Sequence, residues 1–348
     1  MSNVLSLSVY ENTFFKNNEY FEEITTGYTL FGTQLQTALN YMPNKNTKIT
    51  AGLYLRKDFG QDNMNKIAPV FSIQLQKNGY RVIMGNIEGN VSHRLIEPIY
   101  NYERLMLNHL ENGLQFKTEK QKFWSDTWIN WEVMEYLGSN FQEQFSAGHS
   151  SELLLLKNKK GLQIKLPLQG LVTHQGGQID IDTTALKTLV NVASGLVIEK
   201  KSQNEHAFIT HFFMQNYVML YQDLSPSKRQ VFENGKAYYV NIGCKTKYDI
   251  SLSAAYWSGN NYMAARGGEL FQCAATSYGK PGYTEASRDL VLLRLLYQHR
   301  VFDALDVDVR FEPYYHLNKQ LLSYSYSVYF TYKHDFSLLK LTNSKKKN

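Results

Sequence analysis

The chain has 348 residues, 43% hydrophobic, 20% charged and 14% aromatic, with a net charge of +6. That apolar content excludes a disordered chain, and no run approaches the roughly 18 uninterrupted apolar residues of a spanning helix. Only Cys244 and Cys273 are present, which excludes a disulfide scaffold or a multi-cysteine metal module.

The start, MSNVLSLSVY, lacks the charged head and long apolar run of a secretion signal. The expectation at this point is either a cytosolic protein or one whose signal lies outside this numbering. From there on, apolar and polar residues alternate with the two-residue period of strands. Ile49, Ala51, Leu53 and Leu55 interleave with Lys48, Thr50, Tyr54 and Arg56, and Phe71, Ile73 and Leu75 with Ser72, Gln74 and Gln76. Lys77-Asn78-Gly79 then reads as a hairpin turn. Farther on, Leu162 to Leu168, Tyr238 to Ile242, Ile250 to Tyr256 and Tyr324 to Tyr332 repeat the pattern. The alternation predicts strands at 3–15, 27–42, 47–58, 67–77, 80–88, 112–120, 122–134 and 143–157. It predicts more at 161–172, 185–200, 205–221, 236–246, 248–258, 287–300, 304–316 and 320–335. The abundance of tyrosine and phenylalanine and the scarcity of proline suit strands.

The connections alternate in length, except at 317–319, which is short where a long one is due. Long ones cover 16–26, 59–66, 89–111, 135–142, 173–184, 222–235 and 259–286, and short ones cover 43–46, 78–79, 121, 158–160, 201–204, 247 and 301–303. Many segments reach the 9–11 residues that cross a bilayer at a tilt. One face of each is apolar and the other Ser, Thr, Gln, Asn or charged. The fold class expected is all-β: a transmembrane antiparallel meander barrel of about 16 strands (14–16), with long external loops and short periplasmic turns. Residues 1–336 form the single barrel domain and 337–348 a basic tail. Tyr28, Tyr41, Tyr217, Tyr221, Tyr256 and Tyr332, near strand ends, are expected in the aromatic girdles.

Local strings carry a resemblance. They include Glu19-Tyr20-Phe21 before Tyr28-Thr29-Leu30-Phe31-Gly32, His93-Arg94-Leu95-Ile96-Glu97-Pro98, and Trp128-Ile129-Asn130-Trp131-Glu132. Together they resemble a largely uncharacterised family of outer-membrane β-barrel proteins of Bacteroidota. The resemblance implies a location in the bacterial outer membrane and attaches no catalytic residues.

No P-loop, dinucleotide glycine motif, HExxH or GxSxG is present, so no cofactor is expected and the chain reads as a barrel that is not an enzyme. His149 with Ser150 and Ser151 suggests a serine hydrolase on a barrel wall, against an ordinary strand of mixed polarity. Asp180 and Asp182 suggest a calcium loop, against a solvated one. Asp306, Asp308, Arg310 and Glu312 share one strand face, and with Arg294 they form an expected lumen cluster, either a charged constriction or an internal salt-bridge network. Within the loop 89–111, His93, Arg94, Glu97, Tyr100 and Tyr102 are the external-loop candidates. The function expected is a pore for small polar solutes. The alternatives are a non-conducting subunit or scaffold of an outer-membrane complex, and a soluble all-β enzyme or binding protein. Expected partners are outer-membrane lipid and other outer-membrane proteins or lipoproteins, with no nucleic acid.

Overall fold

The computed structural model describes residues 3–204, 206–276 and 280–340; Tyr278 and, of the tail expected at 337–348, residues 341–348 lie outside them. The strands are β1 (Val4–Glu19), β2 (Thr29–Asn44), β3 (Thr47–Asp58), β4 (Lys66–Lys77), β5 (Tyr80–Asn86), β6 (Asn112–Glu119), β7 (Phe123–Val133) and β8 (Gln144–Lys157). They continue as β9 (Leu162–Gln175), β10 (Lys187–Lys201), β11 (Ile209–Asp223), β12 (Asn234–Thr246), β13 (Ile250–Asn260), β14 (Ser287–Phe302), β15 (Leu305–His316) and β16 (Leu321–Lys340). Each pairs antiparallel with its chain neighbours, and β1 closes on β16 from Val4 opposite Lys340 to Glu19 opposite Tyr324. Closure pairs the backbone groups of every strand, which is what lets strands cross hydrocarbon.

The pleat sorts the side chains. Leu39, Phe71, Leu114, Leu168, Leu252, Leu295 and Phe330 are exposed on the outer wall, whereas Gln34, Asn40, Gln115, Asn130, Gln169, Asn191 and Ser325 are buried inside. An apolar outside and polar inside invert a soluble core and place the wall in lipid, which excludes the soluble alternative. The Asn78-Gly79 turn has positive φ at both residues, 52° and 78°, as a two-residue hairpin of the primed type requires.

Two expectations are corrected. β1 and β16 run beyond the predicted ends, to Glu19 and Lys340, because ladder hydrogen bonds continue outside the hydrocarbon, where polar outward residues such as Asn17 and Glu19 break the alternation. Tyr217 and Tyr221 are buried on the inner face rather than set in a girdle, and Tyr28 turns toward Glu103.

The long loops fold inward. The loop 87–111 carries a 3₁₀ turn (Asn90–His93) and one short helix, α1 (Arg104–Leu107). It meets the loop 261–286 through Asn101 N–H to the Arg266 carbonyl at 2.7 Å and Gly268 N–H to the Glu97 carbonyl at 2.9 Å. A Cβ on Gly267 would sit 2.3 Å from the Pro98 carbonyl, so only glycine permits this approach. Ile99, Tyr262, Phe271 and Cys273 of the loops pack against Tyr217, Met219, Trp257 and Leu290 of the wall. The outer half of the lumen thus holds an apolar core of its own.

Candidate functional site

Three arrangements of polar groups come out of this architecture. The first ties the loops to the wall. Arg294 bonds Glu312 on the neighbouring strand and reaches Glu97 of the loop at 2.6 Å. Arg310 donates to Tyr102 Oη at 2.7 Å and lies 3.9 Å over that ring. Glu103 accepts from Lys16 Nζ at 2.6 Å, Asn18 Nδ2 at 2.9 Å and Tyr28 Oη. Burial alone would raise the Glu103 carboxyl, but Lys16 and these donors outweigh it and hold it below its usual range. Of the expected lumen cluster, Arg294 and Arg310 bond the loop, and Glu312 joins it only through Arg294. Asp308 lies lower on the inner wall, and Asp306 sits at the periplasmic mouth, bonded to Arg300 at 2.7 Å.

The external-loop candidates face inward. His93 is fully buried, its Nδ1 2.9 Å from Asp126 Oδ2 and its Nε2 2.9 Å from Glu111 Oε2. Its ring stacks 3.5 Å from Trp128. Burial opposes the imidazolium, but the two carboxylates outweigh it and raise the His93 pKa. Tyr100 Oη donates to Glu111 Oε1 at 2.7 Å, and Arg94 lies 4.0 Å over Trp124. With both imidazole nitrogens occupied, His93 is a buried strut.

The second arrangement is a polar chamber of about 620 Å³ beneath α1, against the inner wall of β1–β5 and β14–β16. His109 hangs into it between the rings of Tyr10 (4.8 Å) and Tyr54 (5.4 Å). Burial lowers its pKa to about 4, so the ring is neutral.

The third lies on the outer wall. His149 Nδ1 is 2.8 Å from Thr127 Oγ1, and His149 Nε2 is 3.1 Å from Ser151 Oγ. Residues 149 and 151 share the outward face of β8, while Ser150 faces the lumen, so the histidine is brought to Ser151 and not to Ser150. Gly170 pairs with His149 across the ladder, and a Cβ there would meet only Asn191 O, at 3.9 Å, which leaves open room beside the imidazole. Trp131 and Phe145 stack at 5.1 Å two outward positions toward the outer rim. Ser151, His149 and Thr127 thus form a hydrogen-bonded row on the lipid-facing side of the wall, with Ser151 7% exposed. A second polar spot on this wall, which the sequence did not reveal, is Glu11, accepting from Thr13 at 2.6 Å and Thr33 at 2.8 Å.

A sequence model of the lipid A 3'-O-deacylase-type family matches residues 1–341. The chain belongs to that family. Membership in the lipid A 3'-O-deacylase-type family, an enzyme family, overturns the expectation of a non-enzymatic barrel. A site built across neighbouring strands has no contiguous motif: Thr127 and His149 are 22 residues apart. No curated protein matches the chain. Among solved structures, it is similar to a loop-deleted OmpT, an outer-membrane protein of Vibrio cholerae, with a TM-score of 0.57 at 12% identity over 96% of this chain and 100% of that one. OprD of Pseudomonas aeruginosa gives 0.53 at 8% identity, over 96% and 95%. OmpF of Salmonella typhi gives 0.53 at 10%, over 96% and 98%. At these identities the likeness is one of fold, that of outer-membrane barrels. This member of the lipid A 3'-O-deacylase-type family is an outer-membrane protein whose wall contacts membrane lipid.

Proposed function

We propose that the protein hydrolyses an acyl ester of an outer-membrane glycolipid, with Ser151 as nucleophile and His149 as base. The observation that carries this reading is the Ser151–His149–Thr127 chain on the lipid-facing wall, at 3.1 and 2.8 Å. Family membership supports the reaction class, and the packed outer lumen supports entry from the membrane side. That packing also weighs against a steady pore for small polar solutes.

With Nδ1–H donating to Thr127, Nε2 is free to accept the Ser151 proton as Oγ adds to the ester carbonyl. The intermediate collapses and expels the alkoxide, which takes that proton and leaves as the alcohol. Water, deprotonated by His149, then cleaves the acyl-serine, releasing the fatty acid and restoring Ser151.

Mass spectrometry of lipid A from outer membranes, with the protein expressed and correctly folded, tests this. Loss of one acyl chain with the wild type, and none with Ser151→Ala or His149→Gln, is the expected result. Full acylation with the wild type overturns the reading. So does undiminished loss with Ser151→Ala, and if His109→Gln then abolishes it, the chemistry lies in the chamber.

A further inference from the structure

We infer that the short-turn edge of the sector β4–β9 binds anionic phospholipid headgroups of the periplasmic leaflet in preference to zwitterionic ones. The inference is independent of the hydrolase reading and goes beyond the lipid contact that any barrel wall makes.

The charges of this sector differ between its two ends. At the short-turn end, the connections β4–β5, β6–β7 and β8–β9, with the strand residues that flank them, hold Lys77, Lys120, Lys122, Lys157, Lys159 and Lys160, all exposed. The one carboxylate among them, Glu119, is already bonded to Arg81 at 3.1 Å. At the other end of β7–β10, the loops 134–143 and 176–186 hold Glu135, Glu143, Asp180 and Asp182 and no lysine or arginine. Solvation alone would be served by either sign at either end. In outer-membrane barrels the short turns are periplasmic, so the basic edge borders the inner leaflet.

The lysines also stand where hydrocarbon gives way to headgroups. Leu75, Phe116, Phe123, Leu155 and Leu156 are exposed on the wall just before the turns. Lys77 follows Leu75 on the outward face of β4, and Lys120 Nζ lies 3.9 Å over the ring of Tyr80, which stacks on Phe116 at 6.1 Å. A register shift between Leu154 and Leu156 leaves both Leu155 and Leu156 exposed immediately before Lys157. Aromatic rings mark the interface in such barrels, and lysine stems lie along apolar surface while the ammonium reaches the polar layer. Beside the Asn78-Gly79 turn, a recess of about 260 Å³ adds Lys45 to the basic edge. Lysine is a point charge on a flexible stem, which suits mobile phosphates better than one rigid partner. The cations spread along six strands spaced about 4.8 Å apart, an arc that follows a leaflet surface. A zwitterionic headgroup brings its own ammonium, which these lysines repel; an anionic one does not.

The test reconstitutes the full chain in phosphatidylcholine bilayers and measures, by electron spin resonance, the association of spin-labelled phosphatidylglycerol and phosphatidylcholine with the barrel. One lysine near an anionic surface strengthens binding about fivefold. Phosphatidylglycerol is therefore expected to associate about fivefold more strongly than phosphatidylcholine at low salt. The preference should vanish in roughly 1 M NaCl, where the screening length is about 3 Å. Substituting glutamine for all six lysines is expected to abolish it, and Lys159→Gln with Lys160→Gln, both in an exposed turn, to lower it. Lys66→Gln, Lys236→Gln and Lys280→Gln, exposed at the outer end, should leave it intact, and circular dichroism checks that each variant folds. Equal association of the two lipids with the wild type overturns the inference. So does a preference that persists in high salt, survives the six substitutions, or is lost as fully with the outer-end set. Cosedimentation with purified peptidoglycan, by a wild type without lipid preference, would assign the lysines to that anionic polymer and overturn it too.

Discussion

Arg294 on the barrel wall lies 2.6 Å from Glu97, a loop residue 197 positions earlier in the chain. The bond joins β14 to the loop between β5 and β6, and Glu312 holds the same guanidinium from β15. Three distant segments therefore share one charge. Arg294→Ala leaves two carboxylates facing each other and is expected to destabilise the fold by about 2 kcal/mol, read as a lower urea midpoint. It is also expected to free the loop. In planar bilayers the wild type should be silent and Arg294→Ala should show conductance steps. Steady conductance by the wild type would contradict a packed outer lumen.

His93 bridges Asp126 and Glu111 with no solvent contact at any of the three side chains. Removing one partner from a buried charge network typically costs about 3–5 kcal/mol. His93→Ala is expected to fall in that range, because it removes the Trp128 stack along with both bonds. Asp126→Asn, which keeps the shape, should cost less. Equal urea midpoints for wild type and His93→Ala would show that the network contributes nothing.

Much of this architecture is legible in the chain. The alternation at Ile49–Leu55 and Phe71–Gln76 marks two strands and their lipid faces, because a wall between lipid and a polar interior imposes a strict period of two. Asn78-Gly79 marks its turn through the φ that asparagine and glycine tolerate. The loops follow no such rule. His93, Glu97 and Tyr102 read as external groups because a loop's length and polarity do not encode that it folds back into a lumen. Tyr217 and Met219 follow the strand period correctly, but the period alone does not tell which face is covered by a plug. His149 was visible as a candidate, and Thr127 was not, because their neighbourhood depends on the register between β7 and β8.

Glu285, in the loop 261–286, lies 3.0 Å from His316 Nε2 and 2.8 Å from Lys319 Nζ. Burial would raise its pKa, yet the hydrogen bonds from these two side chains and the nearby Arg288 guanidinium outweigh it and bring it to about 2, against an ordinary 4.5. A depressed carboxylate stabilises the fold fully above its unfolded pKa, and that contribution fades as pH falls toward the folded value. The difference in thermal midpoint between wild type and Glu285→Gln is therefore expected to be constant above pH 5 and to shrink between about pH 4.5 and 2. A difference that widens on acidification would contradict the assignment.

Membrane orientation follows from the placement of the loops. Leu137, 88% exposed, and the exposed Lys280 lie in loops at the outer end, and Asn158 lies in a turn at the other. In a background without Cys244 and Cys273, cysteines at 137 and 280 should label in intact cells with an impermeant maleimide, and a cysteine at 158 only after lysis. Asn101 is a poorer outer marker than its loop suggests, being tucked against Arg266. The reverse labelling pattern would invert the barrel.

Thr127 touches neither the serine nor the ester and acts only through His149, so within the proposed hydrolysis it is a positioning residue. Its hydroxyl fixes the imidazole through Nδ1 at 2.8 Å. Thr127→Val keeps the shape and removes the acceptor, so the ring can flip to the tautomer that carries its proton on Nε2 and no longer accepts from Ser151. One neutral hydrogen bond is worth about 1 kcal/mol, which corresponds to a five- to tenfold slower release of fatty acid. The loss should fall on kcat, since no substrate contact is removed, and Thr127→Ser should restore the rate. A merely structural role would predict that valine, which fills the same volume on a lipid-facing wall, is tolerated as well as serine. Equal rates for Thr127→Val and Thr127→Ser would therefore remove Thr127 from the site and leave the Ser151–His149 pair without its orienting group.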